Sequence, residues 1–384
     1  MAKIDGNTKG IFMLGTIELS EQEIRRLRLR AQHLLIDTKS EISNIAQLLQ
    51  TICGVQAQYP FDAALALRVR MNNLTSNELK QTQIEERTIV RTWCMRGTLH
   101  LLAAEDFHWL IGLHGKTFIQ KSQRRYEELG LNEKLYSKSI EKLYAVLAQS
   151  EPLTRDEVID CLMTQGINLE GQASYHLLRR AALDGLICFG PDRDGDPTYV
   201  LVENWLNVVS QPLSKEEALA KLARRYLEAY GPASLADLAN WSGLPMKALR
   251  QGWESISHEM IEVRVADRRL SLLETHVFSN ESKVEDPTVL LVPAYDSYLL
   301  GYHDRELILA AYAAKDVYRG GGLLRPAILI DGYIVGSWEI KRYQRRIEVR
   351  INALREIVEP VQNEISIEVQ NVGKFLGMDA ELIL

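Results

Sequence analysis

The chain has 384 residues, 46% hydrophobic and 25% charged, enough to build two to four modules with sizeable cores. It holds no run of about 18 uncharged apolar residues and opens on the polar stretch MAKIDGNTKG, so neither a transmembrane helix nor a signal peptide is expected. Four widely spaced cysteines fit no disulfide framework or CxxC metal site and point to a reduced, cytoplasmic protein, while a net charge of −6 argues against a uniformly basic nucleic-acid binder.

Helical patterns dominate the first two thirds. SEQEIRRLRLRAQHLL (20–35) begins with Ser20 and Glu23 in capping-box spacing. EISNIAQLLQTICGVQAQ (41–58) places Ile42, Ile45, Leu48, Leu49 and Ile52 on one helical face, with Gly54 as its stop. The stretch GVQAQYP (54–60) therefore falls where the chain changes direction. RTWCMRGTLHLL (91–102) carries strand character after a turn at Gly97, and a helix restarts in AAEDFHWLIGLHGK (103–116). A second unit opens at Thr154 and Glu157, another capping box, and continues as helix, helix and hairpin through ICFGP and TYVLV. A third, GPASLADLANWSGLPMKALRQGWESI (231–256), has the spacing of a helix-turn-helix followed by two strands. From about 263 onward the pattern alternates, with Asp331-Gly332 as a hairpin turn and a closing helix that Pro360 bends or interrupts.

The fold expected is mainly α with β (α+β): three tandem winged-helix units and a C-terminal β-barrel-like module. The boundaries are drawn at 1–150, 151–210, 211–262 and 263–384. Three such units make double-stranded DNA the leading partner, with a protein–protein scaffold as the alternative. Basic residues cluster in RRLRLR (25–30), around Lys121, Arg124 and Arg125, and in KRYQRRIEVR (341–350). These runs either line one groove or are solvated faces. In the polar-loaded stretch after residue 90, Arg91, Trp93, Arg96, Thr98 and His100 are candidate DNA contacts. The alternative is that Arg91 and Arg96 pair with acids such as Glu85 and Glu105. No catalytic triad, HExxH or phosphate-binding loop occurs.

GVQAQYP, RTWCMRGTLHLL, GPASLADLANWSGLP and LLVPAYDSYLLGYHDR (290–305), in that order, resemble the tandem winged-helix DNA glycosylases of the AlkZ/YcaQ type. The resemblance implies excision of N-alkylated purines from duplex DNA, in some members with unhooking of interstrand crosslinks, and a signature of Gln, an apolar residue, then Gln, or Asp in the YcaQ branch. Gln56-Ala57-Gln58 matches it, which makes Gln56 and Gln58 the catalytic candidates. It also draws attention to Asp296, His303 and Arg305, as site residues or as packing between modules.

Two neutral amides suit such a reaction. An N7-alkylated guanine is cationic and leaves as a neutral base, so no general acid is needed. Carbonyl and NH₂ groups can instead hold and polarise a water opposite the leaving base. The expectation is a monomeric, cofactor-free and metal-free monofunctional glycosylase. A crosslinked base cannot flip freely, so an open concave surface is expected, with VYRGGGLLRP (317–326) as a probe of the minor groove. Two alternatives stand beside this reading: a non-catalytic winged-helix regulator, and glutamines that merely cap the preceding helix.

Overall fold

The computed structural model describes residues 15–208, 213–277, 287–320 and 322–383. It opens with β1 (Thr16–Glu18), α1 (Glu21–Ala31) and α2 (Ile36–Lys39). Then one sequence of elements recurs: helix, short strand, two helices, hairpin. Its first occurrence is α3 (Ile45–Thr51), β2 (Val55–Gln56), α4 (Pro60–Arg68), α5 (Ser76–Gln81), β3 (Ile89–Trp93) and β4 (Leu99–Ala103). Two helices follow, α6 (Phe107–Lys121) and α7 (Gln123–Glu128). The second occurrence is α8 (Glu133–Leu147), β5 (Leu153–Thr154), α9 (Arg155–Thr164), α10 (Ala173–Leu183), β6 (Ile187–Phe189) and β7 (Thr198–Leu201). After α11 (Val202–Trp205), the third has α12 (Lys215–Tyr230), α13 (Leu235–Ser242), α14 (Met246–Ser255), β8 (Met260–Val265) and β9 (Arg268–Leu273). Here a single bridge, Ala233 to Ser271, stands in for the short strand.

In every occurrence the short strand pairs with the second strand of the hairpin. The first two hairpins join through the Arg91–Phe189 register into one six-stranded sheet, ordered β2-β4-β3-β6-β7-β5. β1 adds in parallel to β8. The remaining elements are β10 (Val289–Val292), α15 (Ser297–Leu300), α16 (Ala314–Val317), β11 (Ala327–Ile330), β12 (Tyr333–Arg342), β13 (Arg346–Ala353), α17 (Glu359–Leu376) and β14 (Asp379–Ile383). Their five strands form a sheet in chain order, with β10 and β14 as its edges, so the barrel-like expectation becomes a curled half-barrel.

Local chemistry explains the boundaries. Ser20, Thr154 and Ser234 each cap a helix by accepting the backbone N–H three residues on, and each has its acid reaching back. Asp331 and Gly332 both take positive φ in the hairpin between β11 and β12. Two expectations change. The helix expected from 41 to a stop at Gly54 contains only Ile45–Thr51, because Asn44 caps it late and the chain reverses at Cys53 and Gly54. Pro360 does not interrupt α17 but sits in its first turn, where its missing N–H has no helical partner to lose.

Arginines fasten the modules together. Arg70 forks onto Asp296 with two 2.7 Å bonds, both side chains fully buried, and also donates to Gln32 at 3.1 Å. Asp296 further accepts the Tyr298 N–H. Arg68 pairs with Glu368 at 3.0 Å. Arg28 lies 3.7 Å above the Tyr302 ring and donates to the Pro232 carbonyl. The His303 N–H reaches Asp237, and Arg305 covers the Tyr318 ring. Asp296 and His303 thus join the C-terminal sheet region to the helical units, while Arg305 packs within that region. Asp296→Asn should lower unfolding free energy by about 3–5 kcal/mol, since it leaves Arg70 buried without its charge partner. A denaturant titration at unchanged m-value measures it.

Candidate active site

The corner that carries Gln56 and Gln58 is made by a forced reversal. Cys53 and Gly54 adopt φ of +57° and +86°. At Gly54 a Cβ would meet Leu102 Cδ2 at 2.6 Å and the Leu101 carbonyl oxygen at 3.0 Å, so no larger residue fits. The reversed chain pairs antiparallel with β4, with Val55 opposite Leu101 and Gln56 opposite His100. The Ala57 N–H then donates to the Leu99 carbonyl at 2.7 Å. Tyr59 caps α4 and Pro60 occupies its first turn. Along the bend Gln56 is half-buried, Ala57 buried and Gln58 exposed.

The glutamines do not cap α3. Its last carbonyls are taken by others: Leu49 by the Gly54 N–H, Gln50 by the Cys53 N–H and Arg225, Ile52 by the Tyr230 hydroxyl at 3.1 Å. Gln56 Oε1 instead accepts from Arg96 Nη2 at 2.8 Å. Gln58 Oε1 makes a long 3.5 Å contact with the Leu99 N–H.

Arg96 sits in the β3–β4 connection with φ +56°. Its other terminal nitrogen donates to the Trp241 carbonyl at the end of α13. Nη2 also lies 3.4 Å from His100 Nε2, while His100 Nδ1 faces the Thr98 carbonyl at 3.1 Å. A carbonyl accepts only from N–H, so the proton is on Nδ1 and Nε2 is the acceptor. Burial, reinforced by the Arg96 charge, holds the His100 pKa well below its usual value, so the ring is neutral. Arg96 is itself pushed down to about 10 by burial and stays cationic at neutral pH. His114 behind it, driven down to about 4 by burial, is neutral as well.

Beside Gln58, Tyr59 is 52% exposed and stacks on Tyr295, ring centroids 5.6 Å apart. Tyr295 holds a φ of +59°, a costly conformation for an aromatic residue. Its hydroxyl meets the backbone of Leu324, and Tyr318 bridges to Leu324 in a small hairpin. The described residues of 317–326 thus adjoin the Gln58 side of the corner, with Leu323 58% exposed; residue 321 lies outside the described residues.

The other candidates scatter. Arg91 lies on the opposite sheet face from Gln56, because it pairs with Leu101, the partner of Val55. It donates to the Ala57 carbonyl and covers the Phe189 ring. Trp93 is corrected from DNA contact to core: it is 2% exposed and packs on Phe189 and Tyr175. Thr98 is half-buried, with its hydroxyl on the Met95 carbonyl, and His100 is buried behind Gln56. Among the described residues no ion pair joins Arg91 or Arg96 to Glu85 or Glu105; Glu105 accepts from Gln50. Part of the basic runs is engaged within the protein: Arg25 and Arg28 point inward to Leu307 and Pro232, and Arg124 and Arg125 pair with Glu128.

Sequence reasoning missed Tyr295, Asp62 and the Trp241 carbonyl. The only signal for the first was its place in LLVPAYDSYLLGYHDR, and none existed for the last. Among the described residues no cluster of three His, Cys, Asp or Glu side chains converges, and no helix is long and apolar enough to cross a membrane.

An open corner with two amides, backed by a half-buried arginine, on a tandem helix-and-hairpin scaffold defines the class. Residues 49–375 match the family model described as DNA glycosylase AlkZ-like, and the chain belongs to that family. Over 336 residues it is 27% identical to an interstrand DNA cross-link repair glycosylase of Streptomyces sahachiroi, spanning 84% of this chain and 89% of that one. The solved structure of Streptomyces sahachiroi DNA glycosylase AlkZ superposes with a TM-score of 0.80 over 96% of this chain and all of the other, at 23% identity, which establishes a shared fold.

Asp62, in the first turn of α4, is pushed up to about 6 by burial. An acid with a raised folded pKa binds its proton more tightly in the native state, so its contribution to stability is full at low pH and fades as pH rises through 6. Asp62→Asn should remove this fall: the difference in Tm between variant and wild type should grow in the variant's favour from pH 4 to pH 7.

Proposed function

We propose that this protein is a DNA glycosylase that hydrolyses the N-glycosidic bond of cationic N-alkylated purines, of the N7-alkylguanine type, in duplex DNA. One observation carries the proposal: Gln56 and Gln58 stand at an open strand-to-helix corner with no structural duty at the helix behind them. The name of the Streptomyces relative supports extending the substrate to interstrand crosslinks.

In the reaction, a water held by the two amides attacks C1′ of the sugar. The water oxygen–C1′ bond forms as the C1′–N bond breaks. The bonding pair goes to the purine and cancels its positive charge, and the water's spare proton passes to solvent. His100 is not set to protonate a leaving base, because it is neutral and buried with its only N–H on the Thr98 carbonyl. This chemistry favours lesions that carry their own activation. We read the three recurring helix-and-hairpin units as winged helices that grip the duplex, and the hairpin at Tyr318 and Leu324 as the part that enters a groove beside the lesion. The exposed face of Tyr59, stacked on Tyr295, offers a flat surface for a base at the same place.

Incubation with duplex containing N7-methylguanine should release free base. The Gln56→Ala, Gln58→Ala double variant should lose about 100-fold or more in single-turnover rate, as expected for lost positioning of the attacking water. Full retention of rate in that variant would sink the assigned roles.

A further inference from the structure

We infer that Arg96 is a positioning residue for Gln56: it fixes which end of the Gln56 amide faces the reacting water, and the third unit holds Arg96 in place. The inference rests on the reading of Gln56 as a catalytic amide. A carboxamide has two ends of nearly the same shape, one acceptor and one pair of donors. A guanidinium has donors only. With Arg96 Nη2 at 2.8 Å, the Gln56 oxygen must face Arg96, since the flipped amide would set NH₂ against N–H. The Gln56 NH₂ is thereby turned away from Arg96 toward the open side of the corner.

A division of labour follows. Gln56 donates, to the lone pair of the attacking water. Gln58, whose oxygen has only the long 3.5 Å contact to Leu99, accepts the water's hydrogen and draws negative character onto the attacking oxygen.

Arg96 has little freedom to do otherwise. Its backbone is left-handed, its other terminal nitrogen is committed to the Trp241 carbonyl, and Gly243 packs against it so closely that a Cβ there would lie 2.9 Å from Arg96 Cα. Neutral His100 accepts on the remaining side and cannot compete for the Gln56 oxygen. The path runs from the turn after α13, through Arg96, to the amide. This differs from Arg96 acting as a phosphate or base contact, which would leave Gln56 unconstrained.

The test compares Arg96→Gln and Arg96→Lys with wild type, reading single-turnover base release from N7-methylguanine duplex alongside duplex affinity across salt. Arg96→Gln should cut the rate at saturating enzyme about 100-fold, with affinity and salt slope unchanged. Arg96→Lys, which keeps the charge and a donor nitrogen but not the fork, should recover part of the rate. In a Gln56→Ala background Arg96→Gln should cost nothing further. Weakened binding with a salt slope lower by about one and an intact saturated rate would show a DNA contact and overturn the inference. So would losses that multiply in the double variant. Should the Arg96 variants fail to fold, the glutamines decide: Gln56→Glu, lacking the NH₂, should be slower than Gln58→Glu, which keeps its acceptor. The reverse order overturns the inference. A Gln56→Ala enzyme as fast as wild type would remove the underlying role of Gln56, whereas additive losses remove only the part played by Arg96.

Discussion

The site depends on how the end of α3 is satisfied. A helix leaves its last carbonyls without partners, and nearby polar side chains are the ordinary remedy. Here Arg225 and Tyr230, both on α12, reach across from another unit to take the Gln50 and Ile52 carbonyls. That frees the polar residues just beyond the helix. With Gly54 forcing the chain back along β4, the two glutamines are delivered to an open edge instead of being consumed as caps.

The same economy governs charge. Seen as composition, the basic runs of this acidic protein are either solvated faces or the lining of one groove. Folded, Arg28, Arg68, Arg70 and Arg225 are internal fasteners that join segments distant in sequence. A guanidinium suits this work because its planar donors satisfy several carbonyl or carboxylate oxygens at once. Net charge is therefore a poor guide to the partner of such a protein. Some of its arginines are turned inward, and what reaches DNA is set by placement.

What was legible in the sequence was local. The capping boxes at Ser20, Thr154 and Ser234, the turn at Asp331-Gly332 and the helix-turn-helix at 234–256 each follow from residues within a few positions of one another. The glutamine motif was legible only through its resemblance to a family, since amides have no spacing rule of their own. What failed was non-local. Trp93 sits in an alternating polar stretch, yet its neighbours across space are Phe189 and Tyr175, which bury it. Arg91 and Arg96 are five residues apart in one polar stretch, but Arg91 lies in β3, on the face away from Gln56, while Arg96 lies in the turn after it and reaches the Gln56 oxygen. Pro360 reads as a breaker in the sequence because no residue near it marks where α17 begins.

The capping of α3 by α12 also bears on how such a protein can change over time. Tandem architectures are usually thought to diversify by duplication and exchange of whole repeats. Here the first repeat ends its key helix on side chains of the third, and the loop between β3 and β4 closes on a carbonyl of α13. A swapped or deleted third repeat would leave the first with exposed carbonyls and a loosened loop. A change in the third repeat is therefore felt in the first, at the end of α3 and in the loop that carries Arg96.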